Sequence, residues 1–145
     1  TRYGRIGVGI CWDQWFPESA RLMAMKGADI LIYPTAIGWM KQEPAEIYPR
    51  QQDSWITVMR GQAVANRIFV LAANRVGTEG DLTFWGTSFA AAPDGYILQK
   101  SQSDFLGVNF VEIDTDEIEE NRRWWPHFSD RRIDLYGDLL KIWRE

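Results

Sequence analysis

Arg5-Ile-Gly-Val-Gly-Ile10, followed at once by Cys11-Trp12-Asp13 and then by Pro17-Glu18, decides how the rest of the chain reads. The six residues before Cys11 form a short β-branched run, and a proline with an acidic neighbour marks a helix start. The order is therefore strand, tight loop, helix, with the cysteine on the loop. An open α/β sheet places its ligands at the carboxyl ends of its strands, so Cys11 stands where such folds do chemistry. This is also the logic of a nucleophile elbow, in which a sharp strand-to-helix turn exposes the nucleophile and frees the next backbone N–H to bind an oxyanion. Cys11 and the N–H of Trp12 are the candidates for those two roles. Asp13 stands where the usual second glycine of an elbow belongs. From spacing alone, an inert buried cysteine remains the competing reading.

Working outward, residues 18–26 carry Ala20, Leu22, Met23, Ala24 and Met25 and read as a short helix stopped by Gly27. Residues 30–33 read as a second buried strand. Residues 34–49 hold three prolines and a glycine without a sustained period, which predicts a long loop, and long loops in compact domains tend to be functional. Asp53 is read as the cap of a helix to Asn66, and residues 69–73 as a third buried strand. After Asn74, residues 87–92 and 96–99 flank Asp94-Gly95 and predict a hairpin. Residues 108–113 read as another strand, 114–121 as an acidic helix, and 130–144 as a charged, partly amphipathic tail. Strands alternating with helices and followed by a hairpin predict an α/β layered fold with a mixed sheet.

Composition sets the outer limits. The chain has 145 residues, 46% of them hydrophobic and 25% charged, the balance of one globular domain. A net charge of −4 with no basic stripe speaks against nucleic acid as a partner. One cysteine cannot close an internal disulfide, and no apolar run has the length of a membrane span. A reduced, cytoplasmic setting without membrane is the expectation. One Cys and one His cannot build a structural zinc site, so no metal and no cofactor are expected. Gly7-Val-Gly9 lacks the third glycine of a dinucleotide loop. His127, followed by Asp130, Arg131 and Arg132, reads as a surface or ion-pair residue rather than a partner of Cys11. Thr1 opens the chain without an initiator Met, and the strand at 5–10 has nothing before it to cover it, so an upstream segment is expected.

Gly4 to Glu18, with Arg21 and Gly27-Ala28, resembles the cysteine block of the nitrilase superfamily of carbon-nitrogen hydrolases. Tyr33-Pro-Thr-Ala-Ile-Gly38, Glu43-Pro44, Asn66, Ala73-Asn74-Arg75, Trp85-Gly86, Ser88-Phe89, Asp130-Arg-Arg132 and Leu135-Tyr136 extend the resemblance over nearly the whole chain. Within the superfamily the pattern is most similar to amidases that cleave N-carbamoylputrescine. The resemblance implies that the chain is the C-terminal half of an α-β-β-α sandwich with mixed sheets. It also implies an N-terminal half that supplies a catalytic Glu as general base and a Lys for the tetrahedral intermediate. Cys11 would attack the carbamoyl carbon of a small molecule through a thioester-like intermediate. Pro34, Thr35, Ala36 and Trp39 would line the substrate pocket, and Glu43 would meet the distal ammonium, with Glu46 and Asp53 as rivals. The helices at 18–26 and 53–66 would pair across a two-fold axis of a homo-oligomer, with Met23, Trp55 and Met59 supplying apolar surface. Ile133 stands where relatives carry Pro, and Trp39-Met-Lys-Gln42 lengthens the loop before Glu43. Two other readings stay open: a relative acting on another carbamoyl compound or carboxamide, and an inactive fragment or interaction module.

Overall fold

The structure, a computed structural model, describes residues 1–142. Three parallel strands form its spine: β1 (Ile6–Val8), β2 (Ile30–Thr35) and β4 (Phe69–Asn74). β7 (Phe89–Ala91) runs antiparallel to β4, and β8 (Ile97–Lys100) antiparallel to β7, which completes a mixed five-stranded sheet in the order β1-β2-β4-β7-β8. The hairpin expected around Asp94-Gly95 is present: Gly95 has φ 83°, and the Ala92 N–H donates to the Tyr96 carbonyl at 2.8 Å. Two helices cross one face of this sheet. Pro17 sits in the first turn of α1 (Pro17–Met25), and Gly27, at φ 87°, ends it with its N–H on the Ala24 carbonyl.

The alternation of the strands sorts the core. Leu31 and Tyr33 of β2 and Val70 and Ala72 of β4 face the helices, where Ala20, Ala24, Trp55, Met59 and Ala63 close over them. On the opposite face Phe69, Leu71 and Ile30 meet Ile118 of α3 (Asp116–Trp124) and Ile113. That second face is only partly covered among the described residues. Ile6 is 42% exposed, Val8 56% and Ile10 68%, so the first strand is buried on its glycine side alone. Gly7 and Gly9 are the buried positions because α1 and β2 come too close for a side chain: a Cβ on Gly9 would lie 2.6 Å from the Tyr33 ring.

Several expectations change. The loop at 34–49 contains β3 (Gly38–Met40), which joins a separate antiparallel sheet in the order β3-β6-β5 with β5 (Val76–Glu79) and β6 (Leu82–Trp85). Gly38 is the key to that pairing, since any Cβ there would collide with the Thr83 backbone. Helix α2 (Tyr48–Asn66) starts five residues before Asp53, because Pro49 supplies the preset φ of a first turn; Asp53 lies inside the helix and exposed rather than capping it. Residues 108–113 are not a strand: among the described residues they pair with no other strand, and Val108 and Phe110 are 74% and 91% exposed. The acidic helix runs later than expected, at Asp116–Trp124. The tail forms two 3₁₀ turns, Ile133–Leu135 and Gly137–Leu140, while Trp143 and Arg144 lie outside the described residues. Trp55 and Met59 are fully buried in the core and therefore are not surplus apolar surface.

The tight contact at Gly9 makes a direct test. Gly9→Ala should destabilise the fold by about 1–3 kcal/mol, the usual range for overpacking a closed site. Urea unfolding with an unchanged midpoint would show that β1 and β2 are not this close.

Candidate active site

β1 ends at Val8, and the chain turns through Gly9 and Ile10 into a 3₁₀ turn over Cys11–Trp15. Cys11 enters that turn at φ 50°, the left-handed region that L residues other than Asn and Asp rarely occupy. This is the strained geometry of an elbow, and it turns the thiol out at the carboxyl edge of the parallel strands. Asp13, the residue that replaces the elbow's second glycine, closes the turn from both sides. Its Oδ2 accepts the Ile10 N–H at 2.9 Å, and its own N–H donates to the Ile10 carbonyl at 3.2 Å. A carboxylate in the first turn also suits the positive end of the helical segment. The first N–H groups of a helical turn have no partner inside it, so the Trp12 N–H is a suitable donor for an oxyanion. The Trp12 side chain is 65% exposed and stands edge-on to Trp15 at 6.1 Å.

Below the elbow lies a buried polar network. Gln14 is fully buried, and its Oε1 accepts the indole N–H of Trp55 at 2.9 Å. Gln62 donates from Nε2 to the Gln14 carbonyl at 2.6 Å and accepts the Tyr33 hydroxyl on Oε1 at 2.8 Å. Burial, helped by the nearby Asp13 charge, pushes the Tyr33 phenol up to about 12, so it stays a protonated donor. The turn carrying Cys11 is thus bolted to α2 and β2 by groups that cannot swing to water without loss of several hydrogen bonds.

The other candidate residues fall in two groups. Thr35 ends β2 beside Cys11, and its hydroxyl donates to the Cys11 sulfur at 3.4 Å. Pro34 and Ala36 flank it and are exposed at the same strand end. Trp39 points its interactions elsewhere: on β3 it stacks on Tyr48 at 4.9 Å, lies 5.5 Å from Trp85, and donates its indole N–H to the Tyr48 carbonyl. It also borders a cavity of about 400 Å³ with Lys41, Tyr48 and Asp81, whose walls do not include Cys11. Glu43 is half-buried in the β3–α2 connection. Its two oxygens accept the Met40 N–H and the Gln51 amide, each at 2.8 Å, so the carboxylate is fixed rather than free in solvent. Glu46 and Asp53 are exposed.

Asn74, at the end of β4, is fully used in bracing these loops. Its side chain accepts the Ile37 N–H and donates to the carbonyls of Ile37 and Gly86, all at 3.0 Å. His127 lies 3.3 Å from the Arg67 guanidinium and not on Cys11. Arg21 sits over the Phe128 ring at 4.9 Å, and Asp13 spends its carboxylate on the backbone, so the elbow is not held by an ion pair between them. Sequence reasoning missed the Asp13 lock and the Gln14–Gln62 network. The signals were a polar Gln at a core position of α2 and an Asp three residues beyond Ile10. Among the described residues no three His, Cys, Asp or Glu side chains gather in a metal-binding group, and no helix is long and apolar enough to cross a membrane.

Comparison with known proteins places this geometry. The family model for carbon-nitrogen hydrolases matches residues 1–123. An N-carbamoylputrescine amidase from Oryza sativa subsp. japonica is 45% identical over 98% of this chain and 49% of its own length. A citrullinase from Francisella tularensis is 42% identical over 97% of this chain and 50% of its own length. The crystal structure of a carbon-nitrogen hydrolase from Helicobacter pylori superposes with a TM-score of 0.94 at 46% identity, covering 98% of this chain and 51% of that one. The chain therefore spans about half the length of the relatives it matches. The match over residues 1–123 and the depth of the structural agreement show that this chain belongs to the carbon-nitrogen hydrolase family, the nitrilase superfamily.

Proposed function

We propose that this chain is the cysteine-bearing, C-terminal half of a single-domain amidase that hydrolyses a carbamoyl C–N bond, with N-carbamoylputrescine as the preferred substrate class. The observation that carries the reading is the left-handed Cys11 at the carboxyl edge of β1, with the free-donor turn of Trp12 next to it. The 45% identity to an N-carbamoylputrescine amidase supports the substrate class. In this reading the Cys11 sulfur attacks the carbamoyl carbon and the Trp12 N–H takes charge on the oxygen. The C–N bond then breaks, and putrescine leaves with a proton. Water cleaves the S-carbamoyl intermediate, restoring the thiol and releasing carbamic acid, which falls apart to ammonia and carbon dioxide. The thiolate and not the thiol is the nucleophile, so a base must take the Cys11 proton. A Glu for that role and a Lys for the tetrahedral intermediate are assigned to the half that precedes Cys11. No cofactor enters the scheme.

The setting follows from the same reading. A functional free thiol fits a reducing, cytoplasmic compartment. Helix α1 turns Leu22 and Met25 outward, 58% and 54% exposed, and that apolar strip supports assembly as a homo-oligomer through the helical layer. A second reading, action on another carbamoyl compound, is favoured by the 42% identity to a citrullinase.

Cys11 decides the first point. In the whole protein, Cys11→Ala and Cys11→Ser should release no putrescine from N-carbamoylputrescine while keeping the wild-type far-UV CD spectrum. Turnover by Cys11→Ala above a few per cent of wild type would end the nucleophile assignment. Putrescine release should also exceed turnover of citrulline, and the reverse order would select the second reading.

Glu43 decides the substrate. A cation entering a pocket leaves water at high cost unless a counter-ion meets it. Glu43 is already held by Met40 and Gln51, which leaves a fixed carboxylate able to accept a further bond. Glu43→Gln should lower kcat/KM for N-carbamoylputrescine by roughly 2–5 kcal/mol in transition-state binding, while a neutral carbamoyl compound changes far less. Equal losses on both substrates would mean that Glu43 only braces its loop.

A further inference from the structure

Thr35 is placed to do more than line a pocket. Leu31 and Tyr33 point into the core on the helical side of β2, and the two-residue period puts Thr35 on the same face one step further on. That step carries it past the core to the strand end, where its hydroxyl meets the Cys11 sulfur at 3.4 Å. Its backbone is held along β4: Thr35 pairs in register with Asn74, and its carbonyl accepts the Arg75 N–H at 3.1 Å. The β-branched side chain is stiff at χ1, so the hydroxyl is not free to wander. Valine would have supplied the same shape and strand propensity, so packing does not explain the oxygen.

We propose that Thr35 is a positioning residue for the nucleophile, whose hydroxyl holds the Cys11 sulfur in place and donates to it in its thiolate form; this rests on the reading of Cys11 as nucleophile. The chemistry of the pair is directional. A neutral thiol and a hydroxyl can each donate to the other, but a thiolate only accepts, so deprotonation makes the hydroxyl the donor and strengthens the bond. Once sulfur is bonded to the carbamoyl carbon its charge is gone and the bond weakens. When water expels the thiolate in the second step, the donor is again in position. Thr35 thus meets charge on sulfur at the start and the end of turnover without itself gaining or losing a proton.

The test compares Thr35→Val, which keeps shape and loses the donor, with Thr35→Ser, which keeps the donor. Alkylation of Cys11 by iodoacetamide is followed by mass spectrometry of the peptide that contains it, beside kcat and KM for N-carbamoylputrescine, in the whole protein. Thr35→Val should slow alkylation roughly tenfold and lower kcat to a similar extent, the scale of losing a hydrogen bond to a charged group, with KM within about twofold. Thr35→Ser should restore both rates. Alkylation of Thr35→Val at the wild-type rate, or a Thr35→Ser variant as slow as Thr35→Val, would overturn the assignment. If Thr35→Val fails to fold, Thr35→Ala takes its place in the same comparison. Turnover that survives Cys11→Ala would remove the nucleophile reading, while the alkylation rates still decide the bond between Thr35 and Cys11.

Discussion

Cys11 is held in a backbone conformation that an L residue adopts at a cost of about 1–3 kcal/mol, and much of the surrounding structure is arranged to keep it there. Asp13 ties the start of the turn to Ile10 through both its carboxylate and its N–H. Gln14, one residue on, is pinned between the Trp55 indole and the Gln62 amide, and Gln62 is in turn fixed by the Tyr33 hydroxyl. Tyr33 lies against Gly9, which has no room for a Cβ. The route from Gly9 through Tyr33, Gln62 and Gln14 closes on the same turn it started from. Moving the turn to relax Cys11 would disturb the buried Gln14 and its bonds to Trp55 and Gln62, and each polar group left unpaired costs about 1–3 kcal/mol. The network stores the strain as a fixed direction for the sulfur.

The loops beside the site are fixed by a comparable device. Asn74 spends its side chain on backbone groups from Ile37 and Gly86, joining the ends of β2, β4 and β6. Gly86 and Thr87 follow with φ of 55° and 52°, and the Thr87 hydroxyl accepts from Gln52 of α2. The carboxyl edge is therefore rigid on both sides of Thr35. In the β3–α2 connection Glu43 clamps the turn through Met40. In the proposed reading, a nucleophile and walls set before substrate arrives lose little entropy on binding.

Much of this arrangement was legible in the residues, and the reasons it stopped being legible are physical. The spine of β1, β2 and β4 and the first helix came from β-branched runs and from Pro17 and Gly27, because short local signals govern elements that are buried and regular. The β5–β6 hairpin was missed: Glu79-Gly80-Asp81-Leu82 is a turn, but its strands are half exposed and rich in Thr and Gly, so they lack an apolar alternation. The error at Asp53 arose because a good capping residue competed with Pro49, and a proline with a preset φ determined where the helix begins. The elbow was legible from Cys11 and its neighbours. Its lock was not, since Asp13 looked like a defect in a glycine pattern rather than the group that closes the turn.

The mistaken strand at 108–113 has a different cause, and it bears on the whole molecule. Val108 and Phe110 alternate with polar residues as strand positions do, yet a strand exists only where another edge completes its hydrogen bonds. The described residues offer this segment no such edge. The same mismatch between apolar sequence and exposure occurs at Ile6, Val8 and Ile10, on the sheet face opposite the helical layer. In both places the residues are of types that fold into interiors, while among the described residues cover comes through Ile113 and Ile118. Helices thus cover one face of the sheet, while the other is covered only in part among the described residues. The Cys11 elbow lies at the end of that face's first strand, so the exposed Val8 and Ile10 lead directly into the turn that carries the sulfur. In the proposed reading, stability of the sheet and supply of a base to Cys11 are two demands met at one surface.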